Sequence, residues 1–241
     1  MPSGFDPMPT NDYRNSASDY ALRDIVGTDA LAFGLVAERI ERLELAGCAL
    51  DLGCGTGRST RFLKCLRLET VGVDISDAMV AEARRLDPEG HYICYAPNTP
   101  LPFEDNVFDV LLSSWTIVEL NEIVDLQNFV HEAVRVLGRS GTGFIVANTA
   151  AFYAGRWVSC EVDFPENAIP LRSGQRVKTR LTPENVIVTD TYWSDEDYRE
   201  AFAKAGLRVT GAWKPLASPD DTNWLDETKA APFVVYELRK K

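Results

Sequence analysis

The sequence predicts an α/β protein built on one doubly wound, mostly parallel sheet. Three observations carry that expectation. Short apolar runs alternate with helix-compatible segments between positions 48 and 148. The runs VGV, DVLL and FIVA lack the apolar–polar alternation of a half-exposed strand, as strands buried on both faces do. The first run leads into a loop with Gly53, Gly55 and Gly57, and a helical segment follows at once. Strands separated by helices in this order pair in parallel.

The first dozen residues, MPSGFDPMPTND, carry three prolines and predict a loose tail. From Ser16 to Leu45 apolar residues recur at helical spacing (Ala30, Leu31, Phe33, Leu35, Ile40), which predicts one or two helices before the first strand. CALDL reads as a strand and RSTRFLKCL as a helix. LETVGVD is the second strand, and SDAMVAEARRL is a helix with Ser76 as N-cap. HYICYA and VFDVLLSS are further strands, NEIVDLQNFVHEAVRVL is a helix, and GTGFIVAN is the fifth strand. The segment 150–193 breaks the rhythm and is too long for an ordinary loop. Within it QRVKTRL and VIVTDTY flank TPEN, the pattern of a β-hairpin, inserted as a cap over the C-terminal edge of the sheet, where open α/β sheets bind ligands. SDEDYREAFAKAG resumes the fold as a helix between the cap residue Ser194 and Gly206. LRVTGAW and FVVYELR close the sheet, so residues 1–241 read as a single domain.

Composition narrows the function. A net charge of −11 argues against a broad grip on nucleic acid. No stretch reaches about 18 uninterrupted apolar residues, and the start lacks a basic region followed by an apolar one. Cys48, Cys54, Cys65, Cys94 and Cys160 are odd in number and form no Cys-x-x-Cys pair. They read as reduced thiols of a cytoplasmic protein, with no metal site and no membrane association.

A strand, a glycine-rich turn and a helix N-terminus form a nucleotide-binding arrangement, because glycine lets backbone approach the ligand and adopt positive φ. Asp51 can accept hydrogen bonds inside the turn. Asp74, at the end of the next strand, can accept from both hydroxyls of a ribose. The pyrophosphate fingerprint G-x-G-x-x-G fails here, because G-C-G-T-G continues with Arg58. Asp-Leu-Gly-Cys-Gly-Thr-Gly with Gly72-Val73-Asp74 resembles instead the class I S-adenosylmethionine-dependent methyltransferases. LPFEDNVFDVLLSS and RVLGRSGTGFIVAN are similar to that family's approaches to strands four and five. The resemblance is close from Leu45 to Asn148.

The resemblance implies a seven-stranded Rossmann-like sheet with an antiparallel last strand, an N-terminal tail and helical lid over 1–45, and S-adenosylmethionine as cofactor. It places Gly53, Cys54, Gly55 and Gly57 with Asp51 around the methionine and ribose portions, Asp74 on the ribose and Ile75 beside the adenine. The family's adenine-binding acid is replaced by Pro97, and Asn98 and Thr99 follow as candidates there. Ser114 would contact the methionine part through its backbone, and Tyr20, rather than Tyr13, would face the sulfonium from the lid.

Methyl transfer asks the protein mainly for alignment and exclusion of water. A base is needed only if the nucleophile is protonated at attack, and the sequence leaves that group unassigned. His91 and His131 read as surface or packing residues. Trp115 either stacks on the acceptor or belongs to the core, and the same alternative stands for Tyr153, Trp157, Tyr192 and Trp193 in the cap. Arg176, Lys178 and Arg180 share one strand face, either solvated or attracting an anionic substrate. The cap and the closing APFVVYELRK resemble methyltransferases of microbial secondary metabolism, including toxoflavin-type N-methyltransferases. The expected acceptor is a small molecule methylated on N or O by a monomer or homodimer; a peptide or protein substrate, or a non-catalytic cofactor-binding scaffold, are the alternatives.

Overall fold

A computed structural model describes residues 11, 13–97, 99–220 and 223–241. Apart from Asn11, the expected tail lies outside the described residues, as does Asn98. The main sheet has the order β3-β2-β1-β4-β5-β10-β9. Its strands are β1 (Cys48–Leu52), β2 (Glu69–Asp74), β3 (His91–Cys94), β4 (Phe108–Ser114), β5 (Leu137–Asn148), β9 (Leu207–Trp213) and β10 (Phe233–Lys240). Strands β1 to β5 pair in parallel, and β10 runs against both its neighbours. The doubly wound expectation and the reversed closing strand are both met.

Helices α2 (Thr28–Arg42), α3 (Arg58–Cys65), α4 (Asp77–Leu86), α5 (Ile123–Val136) and α6 (Asp195–Lys204) cover the two faces, after a single turn α1 (Ala17–Tyr20). Central strands bury side chains on both sides: Leu50 and Leu52 join Leu126, Val130 and Phe202 in one core, while Ala49 joins Val36, Ile40 and Leu63 in the other. That two-sided burial is why the strands read as continuous apolar runs. Ser76 caps α4 by accepting from Met79 N at 3.3 Å, and Ser194 and Asp197 form a reciprocal capping box on α6.

Two boundaries differ from the sequence reading. Helix α5 stops at Val136 and β5 begins at Leu137, where the sequence predicts a turn before Gly141. Leu137 pairs with Phe108, yet Thr142 pairs with Val110, so 138–141 bulge out of the ladder. Glycines are required there: a Cβ on Gly138 or Gly141 would sit 3.0 or 2.8 Å from the Phe108 carbonyl oxygen. The inserted segment is the second difference. Strands β7 (Gln175–Leu181) and β8 (Val186–Tyr192) form the expected hairpin, but β6 (Cys160–Glu161) adds a third strand to their sheet. Two residues are too few to show a period.

Strand order turns outward in both directions from β1 and β4, the switch point at which such sheets open a crevice. The cap lies there. Strand β8 packs on the 3-10 turn Thr116–Glu119 that follows β4, and the Trp193 indole N–H donates to the Leu120 carbonyl at 3.0 Å.

Candidate functional site

Gly53, Gly55 and Gly57 all have positive φ, at 80°, 51° and 78°. Two of them serve the protein's own packing. A Cβ on Gly53 would lie 2.0 Å from Thr116 Oγ1, and one on Gly57 would lie 2.7 Å from the Tyr92 hydroxyl. At Gly55 the nearest atom is Tyr20 Cε1 at 3.8 Å, so a Cβ here would make an ordinary contact and meet no clash. Gly53→Ala is therefore expected to destabilise by about 2–5 kcal/mol, summing left-handed strain and overpacking. In a chain of this size that is a fall of roughly 5–15 °C in Tm. Gly55→Ala carries only the strain; equal Tm losses in a thermal unfolding comparison would refute the assignment.

The loop closes over a cavity of about 830 Å³. Gly53, Gly55, Asp74, Ile75, Thr99, Ser114, Trp115 and Tyr20 line it, together with Ser76, Asp77 and Pro97. Asp74 accepts from Gly55 N at 2.7 Å through one oxygen and from Ser76 N at 2.9 Å through the other. Burial raises its pKa against the pull of those amides. Each oxygen keeps lone-pair capacity for a ligand hydroxyl. Ser114 Oγ is buried with no hydrogen-bond partner among the described residues. A cavity of this size, a carboxylate at the loop, an orphaned hydroxyl and the exposed Ile75 side chain suit the ribose, the amino-acid end and the adenine of S-adenosylmethionine.

Three residues expected on the cofactor do not reach this cavity. Asp51 is wholly buried beneath the loop, where its Oδ2 accepts from Ser59 Oγ at 2.7 Å and Thr60 Oγ1 at 2.6 Å. It ties β1 to the first turn of α3. Burial pushes its pKa up to about 6, with the two hydroxyls opposing. Cys54 turns into a small core with Val80, Ala83 and Tyr92, and Gly57 is spent on Tyr92 as above.

Beyond the cavity lies a smaller chamber of about 60 Å³. Tyr13, Tyr20, Trp115 and Glu119 line both spaces. Trp115 has φ 59°, the left-handed region, and its ring meets Phe233 at 4.9 Å and Phe33 at 5.7 Å. A bulky residue held there is a strained one. The Tyr13 hydroxyl donates to Glu119. Burial, reinforced by the charges of Asp190 and Asp74, pushes the Glu119 carboxyl up to about 8, while the Tyr13 hydrogen bond opposes. Asp190, on β8, is pushed up to about 7, first by burial.

Arg23 and Arg58 also line the chamber, but both are neutralised by acids. Asp29 accepts from Arg23 Nε at 2.9 Å and Arg58 Nη1 at 2.6 Å, and Glu184 accepts from Arg23 Nη1 at 3.0 Å. Sequence reading missed Glu119, Asn148, Thr179 and Asp190. One signal was available: in VIVTDTY, Asp190 shares the buried phase with Val186 and Val188.

Tyr153, Trp157, Tyr192 and Trp193 do not line either space, contrary to the acceptor role offered for them. Tyr153 and Trp157 are buried in the core that the cap shares with α2 and the main sheet, Tyr192 packs against it, and Trp193 is buried in the core on the other face. Trp157 is 4% exposed, stacks on Phe152 and donates to the Phe152 carbonyl at 2.7 Å. Tyr153 meets Phe152 and Tyr192 edge-on, and its hydroxyl accepts from Asn148 Nδ2 at 2.9 Å. Trp193 is held by Leu120, as described. On the basic strand face, Lys178 pairs with Glu166 at 2.6 Å, Arg180 with Glu161 at 3.3 Å, and Arg176 donates to Asn121. That engagement supports the solvated alternative. His91 opens β3 and is exposed, whereas His131 stands at the rim of the large cavity.

Residues 50–145 match the family described as "Methyltransferase domain". The chain is 33% identical over 113 residues to malonyl-[acyl-carrier protein] O-methyltransferase of Enterobacter lignolyticus, covering 47% of this chain and 41% of that protein. It is 36% identical over 93 residues to demethylmenaquinone methyltransferase of Tropheryma whipplei, covering 38% of each. These matches span about two fifths of the relatives' length. In fold it is similar to a protein from Mesorhizobium loti described as an S-adenosylmethionine-dependent methyltransferase: TM-score 0.64, 17% identity, 89% of this chain and 100% of that one. Among the described residues no His, Cys, Asp and Glu cluster could hold a metal ion, and no helix is long and apolar enough to cross a membrane.

Proposed function

We propose, from the premise that this chain belongs to the class I S-adenosylmethionine-dependent methyltransferase family, that it methylates a nitrogen or oxygen atom of a small molecule. One observation carries the reading: the large cavity beside the glycine loop adjoins a small chamber at Tyr13, Tyr20, Trp115 and Glu119. A donor space and an acceptor space that meet at a few side chains are what an in-line transfer requires.

The cofactor supplies an electrophilic methyl group on a sulfonium. The chain's own residues hold and orient. Asp74 receives the ribose hydroxyls, and Gly55 lets the backbone approach. Ser114, which lines the cavity, meets the amino-acid end. Tyr20 and Trp115 present aromatic faces near the junction, where a ring beside a cation contributes on the order of 1 kcal/mol. The chamber's small volume and the net charge of −11 favour a small acceptor over a nucleic acid.

Calorimetric titration with S-adenosylmethionine, S-adenosylhomocysteine and NAD tests the reading. Micromolar binding of the first two and none of NAD is expected. Binding of NAD alone would overturn it.

A further inference from the structure

The chamber holds more unspent hydrogen-bonding capacity than its size suggests. Asn148 Oδ1 and Thr179 Oγ1 are both buried, at 7% and 2% exposure, and neither has a partner among the described residues. Asp190 is 4% exposed. Among the described residues its Oδ2 receives two long hydrogen bonds, from Asn148 Nδ2 and the Tyr153 hydroxyl, each 3.4 Å. These three side chains come from the end of β5 and from β7 and β8, where Thr179 pairs with Val188 and Asp190 with Val177, so that Thr179 and Asp190 are diagonal neighbours. Buried polar groups left unpaired are costly, and native structures rarely keep them without use.

The unspent atoms are acceptors, except that the Thr179 hydroxyl can also donate. Around them stand aromatic rings: Tyr20, Trp115, Phe152 and Phe233. The Arg23 and Arg58 guanidiniums are matched by Asp29 and Glu184. An anion would meet the carboxylates of Asp190 and Glu119 there. A group bearing N–H hydrogens and positive character meets acceptors and ring faces.

Resting on the methyltransferase reading above, we propose that the chamber seats the methyl acceptor, that this acceptor is a nitrogen base presenting N–H groups, and that Asn148 and Asp190 receive those hydrogens. In the transfer, the nitrogen lone pair forms the new C–N bond and the C–S bond breaks with its electron pair left on sulfur. The N–H proton passes to the Asp190 carboxylate and from there to solvent. A carboxyl pushed up to about 7 is matched to that task near neutral pH. Tyr153, through its hydrogen bond, and the charge of Arg176 on β7 oppose that rise; the Asp190 charge in turn raises Glu119 and Tyr13 beside the main sheet and Tyr153, Cys160 and Tyr198 around it.

The test uses acetamidinium, tetramethylammonium and acetate as probes at matched ionic strength. Binding is followed by calorimetry near pH 7 in buffers of different ionisation enthalpy, with S-adenosylhomocysteine present and absent. Acetamidinium is expected to bind at least tenfold more tightly than either of the others and to release protons as it does so, since a bound cation favours the ionised carboxyls. Asp190→Asn should weaken it at least tenfold and diminish the proton release while leaving S-adenosylmethionine affinity unchanged. The shape-preserving Thr179→Val should weaken it a few-fold. Equal binding of acetate or tetramethylammonium, or an unaltered Asp190→Asn protein, would overturn the proposal. Wild-type protein that takes acetamidinium in this way but never S-adenosylmethionine would sink the methyltransferase reading while supporting the chamber's preference for N–H cations.

Discussion

Asp74→Ala is expected to weaken S-adenosylmethionine binding by at least about a hundredfold. A hydrogen bond to a charged acceptor contributes roughly 1.5–3 kcal/mol, so two ribose hydroxyls on one carboxylate correspond to a factor of about 10²–10⁴. The substitution also frees the Gly55 and Ser76 amides, which Asp74 holds at 2.7 and 2.9 Å. The loop would then lose its anchor as well as its ligand contact. Asp74→Asn separates the two effects. It keeps the side chain's size and one acceptor, so the loss should fall between wild type and alanine. Calorimetric affinities, with far-UV circular dichroism to show that each variant is folded, decide the matter. A loss below tenfold in both variants removes Asp74 from the cofactor site.

Asp29→Ala should be the most damaging single change to stability. Asp29 takes two hydrogen bonds from Arg23, both at 2.9 Å, and one from Arg58 at 2.6 Å, in surroundings where all three side chains are buried. Removing one partner of a buried ionic cluster leaves charge uncompensated and costs about 3–5 kcal/mol. In urea this appears as a lower midpoint at unchanged slope. The pH dependence has a definite sign. Burial acts to raise the Asp29 pKa, but the two guanidiniums outweigh it and hold the group below its ordinary value. Its contribution to stability is therefore present above the unfolded carboxyl pKa, and it is lost as pH falls through the lowered native one. The variant should lose its deficit relative to wild type in strong acid. A deficit under about 1 kcal/mol at neutral pH would show that Arg23 and Arg58 find other partners.

The donor half of the molecule was legible because its signals are local. Three glycines in five positions, an acid closing each of two strands and the cap residue Ser76 all act within a few residues of themselves. Even there, the pattern overstated ligand contact. Gly57 answers to Tyr92 on β3, Cys54 to a small core, and Asp51 to the hydroxyls of α3. The chamber was not legible because its walls converge from distant stretches. Glu119 follows β4, Asn148 ends β5, Asp190 lies on β8 and Phe233 opens β10. The cap aromatics misled for the opposite reason. Clustered in sequence, they suggested a binding face, but Tyr153 and Trp157 join the cap to the core of α2 and the main sheet, and Trp193 enters the opposite core. The bulge at 138–141 was hidden by its glycines, which read as a turn when they are in fact clearance for the Phe108 carbonyl.

The side chain of Asn11 behaves as a borrowed piece of strand. Its Oδ1 accepts from Thr189 N at 2.7 Å and its Nδ2 donates to Thr189 O at 3.2 Å, so the N-terminal segment is stitched to the outer edge of β8. Asn11, Asn148, Thr179, Asp190 and Phe233 all fall outside the 50–145 stretch shared with the methyltransferase family. On the proposed function, the acceptor chamber can therefore be edited at these positions without rewriting the stretch shared with the family. A library confined to these flanking positions would explore new acceptors on an intact engine.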